Sequence, residues 1–304
     1  FVRIETFNIL SIDGGGVRGV YAAEIIRRMQ QELQIDCYKE FDLITGTSTG
    51  SIIAAALAIG IPAQEIVKLY MEKSKVIFKK NRLGGVITPK YDNQNLKNVL
   101  DEAFKEKTFD DVKTRLMVTA TNISDGMPWV FKSLYHERLV RDQDVKLADA
   151  VLASCCAPLY FNPYEMNNQL LADGGLWANN PALSALVEAL GHNIDIKRYK
   201  VRLISIGTGV NIKHYPLDWV EKKWGATRWG VGLIDVILNM QSFTVEKYLN
   251  TIMNSDQYLR INFNIENNLS IDDIKIMPLL LQQASQDFDI NKEKIEKLLN
   301  KGTF

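Results

Sequence analysis

Gly46-Thr47-Ser48-Thr49-Gly50 sets a serine between two glycines in the spacing G-x-S-x-G, the spacing of a nucleophile elbow. A serine can attack a carbonyl from such a turn if its Oγ stands exposed at the tip and only small residues lie where backbone crowds in. The flanks meet that need. Phe41, Leu43 and Ile44 form a short apolar run before the motif, and an almost unbroken apolar stretch from Ile52 to Ile59 follows it. This order predicts a buried strand, a sharp turn and a buried helix. The helix would bring the positive end of its dipole to any anion forming at Ser48. The plain alternative is a turn serine with no chemistry, and the two flanks favour the nucleophile.

A second glycine turn, Asp13-Gly14-Gly15-Gly16-Val17-Arg18-Gly19, follows the apolar run Thr6–Ile12. It satisfies G-x-G-x-x-G, the phosphate turn of a dinucleotide site, which needs an acidic residue at the end of the next strand. Asp36 has the right distance from Gly16 but precedes the strand around 41–45. The other use of such a turn is to aim bare backbone N–H groups at a developing oxyanion. Neighbouring parallel strands would bring both turns to one carboxyl edge, beside Ser48, so the oxyanion use is favoured. A third turn, Asp173-Gly174-Gly175, closes the strand-like Gln169–Ala172. Aspartate is an ordinary turn former, but the carboxyl end of an apolar strand is where sites of open α/β sheets gather.

The elements that must carry these turns alternate. A strand at 6–12, an amphipathic helix at about 17–33 and the strand at 41–45 make a βαβ unit, the mark of a parallel sheet with helices on its faces. Helices are expected at 63–73, 95–105, 146–154, from Asn179-Asn180-Pro181 to Leu190, on to about Ile252, and at 289–300. Strands are expected at 116–122, 129–133, 201–206 and 258–263. Trp219, Trp224 and Trp229 fall among glycines at 216–232, a pattern suited equally to a lipid-facing rim and to core packing. No repeat or linker divides the chain, so the expectation is one α/β domain over residues 1–304, a mostly parallel sheet in three layers.

Thirty-six basic and 36 acidic residues cancel, which leaves no global field to draw a nucleic acid polymer. Cys37, Cys155 and Cys156 are no disulfide framework, and they point to a reducing compartment, with the adjacent pair read as buried small residues. No run reaches the ~20 apolar residues of a membrane span. The chain opens on Phe1 rather than Met, which leaves a preceding segment open.

Taken in order, Asp13–Gly19, Gly46–Gly50 and Asp173–Gly175 resemble the motifs of the patatin-like phospholipases. The likeness extends through Ala153–Pro163, Asn179-Asn180-Pro181 and Ser205–Gly209, and covers about residues 5 to 210. The resemblance implies a patatin-like fold related to α/β-hydrolases and a lipid acyl hydrolase with a Ser-Asp dyad. It implies no metal, no cofactor and no histidine base. On this chain it makes Ser48 the nucleophile and Asp173 the base, with Gly15, Gly16 and the Thr49 N–H as oxyanion donors. Asp13 and Gly14 support the turn, and Arg18 either bridges loop to sheet or supports the oxyanion. The implied partner is membrane phospholipid, met peripherally at the inner face from the cytoplasm. The chain also resembles bacterial members that act in anti-phage signalling under a cyclic-nucleotide activator, although no nucleotide motif is legible. An acyltransferase using the same acyl-serine, and a non-catalytic lipid or nucleotide module, are the competing readings.

Overall fold

The computed structural model describes residues 5–81, 87–192, 199–211, 226–265 and 270–300, together with Leu217 and Glu221. Strands β1 (Glu5–Ile12), β2 (Leu43–Thr47), β3 (Arg115–Asn122), β4 (Met127–Lys132), β5 (Tyr164–Met166), β6 (Gln169–Asp173) and β7 (Tyr199–Ile206) are followed by β8 (Val210–Asn211), β9 (Tyr258–Ile261) and β10 (Asn264–Ile265). The helices are α1 (Gly19–Glu32), α2 (Cys37–Glu40), α3 (Thr49–Ala58), α4 (Ala63–Ile77), α5 (Asn93–Phe104), α6 (Leu147–Cys155), α7 (Gly175–Ala178), α8 (Ala182–His192), α9 (Ala226–Ile252) and α10 (Met277–Leu299).

The main sheet runs β5-β6-β3-β2-β1-β7-β9, with β4 also on β3. β3, β2, β1, β7 and β9 are mutually parallel, while β4 and β6 run antiparallel to β3. A fold with helices on both faces leaves each central strand apolar on both sides, and β1 shows it. Leu10 and Ile12 face a large core shared with α1, α3, α4, α5, α6 and α10. Phe7 and Ile9 face a smaller one shared with α8 and Leu249 of α9. The expected three-layer, mostly parallel α/β arrangement is what the chain forms.

Two differences from the sequence expectation have physical causes. The last helix begins at Met277 rather than 289, with Pro278 in its first turn, where a missing N–H costs nothing. Its earlier half buries Met277, Leu280, Ala284 and Phe288, a stripe at helical spacing that packs on α1. The second is the direction of β6. It ends at Asp173 as expected, but it runs against β3 and reaches the carboxyl edge of the parallel strands head-on, from beyond the end of β2.

Candidate functional site

Ser48 is the one residue from Leu43 to Ala58 that is not buried. It joins β2 to α3 with φ 52° and ψ −126°, a conformation that costs an L-residue on the order of 1–3 kcal/mol. The glycines on either side make the turn possible. A Cβ on Gly46 would strike the Gly50 carbonyl, and one on Gly50 would strike the carbonyls of Ile12 and Asp13. The Ser48 N–H donates to Ser154 Oγ at 2.8 Å, and that hydroxyl donates to the Thr119 carbonyl at 2.6 Å. Ser51 Oγ–H and N–H both return to the Ser48 carbonyl. The backbone of the elbow is thus fixed on every side, and its hydroxyl is left outward.

The register of β3 brings the second residue in. Thr47, the last residue of β2, lies opposite Thr119, and Asp173, the last of β6, lies opposite Ala120. Since β4 occupies the other edge of β3 over both stretches, β2 and β6 share one edge and run head-on into each other. Their final residues meet at the junction. The Ser48 hydroxyl lies close enough to the Asp173 carboxylate there to favour its charged form, and the Gly175 N–H donates to Asp173 Oδ1 at 2.6 Å. Burial pushes the Asp173 carboxyl up to about 6, against the pull of these two donors.

The first glycine turn closes the third side. Gly14 N–H donates to the Asn179 carbonyl at 3.0 Å, and Thr208 Oγ1 donates to the Gly14 carbonyl at 2.6 Å. Val17 N–H donates to the Ile271 carbonyl at 2.8 Å. Among the described residues, the N–H groups of Gly15, Gly16 and Thr49 donate to no protein acceptor, and all three residues line the same cavity as Ser48 and Asp173. Asp36, the acidic residue a dinucleotide site would use, is exposed at the start of α2 and paired to Lys39. Arg18 is buried and keeps to the loop, its Nε donating to the Gly15 carbonyl at 3.4 Å, and burial draws its guanidinium down to about 10.

The residue that ties the loop to the sheet is Arg260, which the sequence reading misses. Its guanidinium grips the Asp13 carboxylate with Nη1 at 2.8 Å and Nη2 at 2.5 Å, and Nη1 also reaches Ser205 Oγ. Both members are buried, and Ser242 of α9 adds a hydroxyl to Asp13. The only sequence signal is an arginine inside an apolar strand, Tyr258–Ile261. Ser154 is similarly faint, a hydroxyl in the apolar helix α6. Cys155 and Cys156 are free and buried, with thiols pushed up by burial, as buried small residues would be.

Ser48 opens into a cavity whose walls are mainly apolar, among them Ile52, Leu69, Ile77, Phe78, Leu96 and Phe161. His136 lies beyond the end of β4 beside the start of β3, at the opposite edge from Ser48. His214 and the side chain of His192 fall outside the described residues, as do Trp219, Trp224 and the Trp229 side chain. Among the described residues no helix is long and apolar enough to cross a membrane.

Comparison with known proteins shows the family and the fold. A family model described as patatin-like phospholipase matches residues 10–186. The chain is 33% identical over 260 residues to a cGAMP-activated phospholipase of Pseudomonas aeruginosa, covering 84% of this chain and 78% of that protein. It is 31% identical over 315 residues to a cGAMP-activated phospholipase of Escherichia coli, covering 96% and 85%. A cUMP-AMP-activated phospholipase of Escherichia coli is 30% identical over 274 residues, covering 85% and 81%. Among solved structures, VipD from Legionella pneumophila shares the fold, with a TM-score of 0.54 at 15% identity over 94% of this chain and 67% of that one. The match runs from the later part of β1 into the first half of α8 and includes all three glycine turns, so the chain belongs to the patatin-like phospholipase family.

Proposed function

We propose that the protein cleaves the carboxylic ester bonds of glycerophospholipids through an acyl-Ser48 intermediate, with Asp173 as the base. The observation that carries this reading is the head-on junction of β2 and β6. It joins a strained, outward serine to a buried carboxylate at the floor of an apolar cavity. Ser48 Oγ attacks the ester carbonyl carbon, its proton passes to Asp173, and the carbonyl oxygen takes the negative charge. Gly15 and Gly16 N–H groups, with Thr49 N–H at the start of α3, are the donors for that oxygen. Collapse expels the lysophospholipid alkoxide, which recovers the proton from Asp173. Water then attacks the acyl-serine with Asp173 again as base, and the fatty acid leaves.

A carboxylate is a weak base at its ordinary pKa, and the burial that lifts Asp173 to about 6 brings it closer to the task. Asp13, held by Arg260, and Gly14, held by Asn179 and Thr208, keep the donor turn against the elbow. In this reading the protein works from the cytoplasm in peripheral contact with the inner face of the membrane. The relatives named for cGAMP and cUMP-AMP activation support a cyclic-nucleotide switch on this chain as well, and with it a role in defence against phage.

The test is labelling by a fluorophosphonate probe, alongside phospholipid hydrolysis with and without a cyclic dinucleotide. Wild type should be labelled and Ser48→Ala should not. Retention of more than about a hundredth of wild-type turnover in folded Ser48→Ala would reject the nucleophile, since losing one costs several orders of magnitude.

A further inference from the structure

The cavity beside Ser48 has a direction. At its near end the Tyr70 hydroxyl meets Thr49, the first residue of α3, through both the Thr49 hydroxyl and its carbonyl. From there Tyr70, Ser74, Ile77 and Phe78 line it in succession along α4 and its cap. Eight residues at 1.5 Å each place Phe78 roughly 12 Å beyond Tyr70. Leu96 of α5 lines it as well. The polar groups along this path are already satisfied. Tyr70 is bonded to Thr49, and the Ser74 hydroxyl donates to the Tyr70 carbonyl at 2.5 Å. Among the described residues, nothing past Thr49 on this wall is free to hold a polar headgroup, so the path suits bare hydrocarbon.

The far end is rigidly backed. The Phe78 ring meets the Tyr91 ring edge-on at 5.2 Å, and Tyr91 lies 5.7 Å from Phe161 and 6.3 Å from Tyr160. The Tyr91 hydroxyl is held by Asp272, which also pairs with Lys90. Lys90 and Tyr91 N–H groups donate to the carbonyls of Leu159 and Tyr160 at 3.0 and 2.8 Å. An aromatic wall held by these side-chain and backbone bonds does not retreat before a longer ligand.

Resting on the acyl-Ser48 reading, we propose that the Tyr70–Phe78 face of α4 is a ruler for a single acyl chain, with Phe78 and Leu96 as its end stop. One leaflet of a bilayer is about 15 Å of hydrocarbon. The channel is shorter, so it selects acyl chains of medium length over full membrane length.

The experiment measures kcat/KM on p-nitrophenyl octanoate and palmitate, with Ser48→Ala as background, for wild type, Ser74→Leu and Phe78→Ala. Wild type should favour octanoate. Phe78→Ala lengthens the channel and should raise the palmitate-to-octanoate ratio by about tenfold or more. Ser74→Leu fills open space halfway along and should lower it by a similar factor, on the scale of a few methylenes gained or lost in an apolar pocket. Phe78→Leu serves where Phe78→Ala does not fold, with a smaller rise expected. Ser48-dependent hydrolysis with a ratio moved by none of these variants overturns the ruler and leaves the acyl-serine reading standing. Absence of any Ser48-dependent hydrolysis overturns that reading, and the ruler with it.

Discussion

Replacing Asp173 by asparagine should make the folded protein more stable while it removes turnover. Burial pushes the carboxyl from 3.8 to about 6, so the native state holds that proton more tightly than the unfolded chain does. Below about pH 4 both states are protonated and the site costs nothing. Between about pH 4 and pH 6 the unfolded chain ionises first, and stability falls as pH rises. Above pH 6 the whole cost of ionising a buried carboxylate is present. A shift of about two units at 1.36 kcal/mol each puts that cost at ~3 kcal/mol. Asparagine keeps the shape, and its Oδ1 still accepts from the Gly175 N–H that now bonds Asp173 Oδ1. Asp13 and Asp42 are raised by burial too, but they titrate in both proteins and cancel in the difference. Urea unfolding of wild type and Asp173→Asn, followed by circular dichroism across this range, reads the effect directly. The variant should gain up to about 3 kcal/mol near neutral pH, and the gain should vanish near pH 4. The kinetic counterpart is a wild-type kcat/KM that drops about tenfold per pH unit below 6, as the base protonates. A variant no more stable than wild type at neutral pH, or a gain that does not change with pH, would refute the argument.

Three further outcomes follow from contacts at the same junction. Among the described residues, Arg260→Met leaves the buried Asp13 carboxylate only Ser242 for a partner; it should cost about 3–5 kcal/mol, and adding Asp13→Asn should recover most of that in the same unfolding assay. Ser154→Ala strands the Ser48 N–H and the Thr119 carbonyl, so about 1–3 kcal/mol should be lost, with kcat falling more than KM rises as the elbow loosens. Gly16→Ala drives a methyl group into the Ile271 carbonyl at a position with φ +60°, and kcat should fall far more than KM rises because the donor acts only on the transition state; a defect confined to KM would instead mark a ground-state binding loop.

The three glycine turns are legible in the sequence because each is a local contradiction, residues poor for strand or helix set between a good strand and a good helix. Ser48, Gly15 and Gly16 carry their conformational demand in their own residue types and in the few residues around them. What the sequence does not show is direction and distance. Asp173 ends an apolar strand in either reading, and only the pairing of β6 with β3 decides that it arrives head-on from the far side. Arg260 is 247 positions from Asp13, so no window of sequence joins them. The trace left is a charge inside Tyr258–Ile261, which solvent exposure would explain as well. Leu96 reads as an ordinary apolar position of an amphipathic helix, Phe78 falls beyond the helix expected at 63–73, and nothing local says that either faces a cavity rather than the core.

The junction is built from groups that each oppose folding. Ser48 sits in a strained conformation, Asp173 is ionised against its burial, and the N–H groups of Gly15 and Gly16 meet no acceptor among the described residues. Each would relax if its neighbours let it: the elbow by unwinding the start of α3, the carboxylate by turning to water, the glycine turn by closing on itself. The residues that prevent this lie outside the G-x-S-x-G and Asp-Gly-Gly motifs. Ser154 pins the elbow to β3, Thr208 and Asn179 hold Gly14, and Arg260 anchors Asp13 to β9. These hydrogen bonds go to backbone groups and to Asp13 rather than to the Ser48 hydroxyl or the Asp173 carboxylate, yet they fix where both can be. Substituting them should therefore lower the catalytic rate without changing which chemistry is done, whereas substituting Ser48 or Asp173 should remove the chemistry and leave the fold intact.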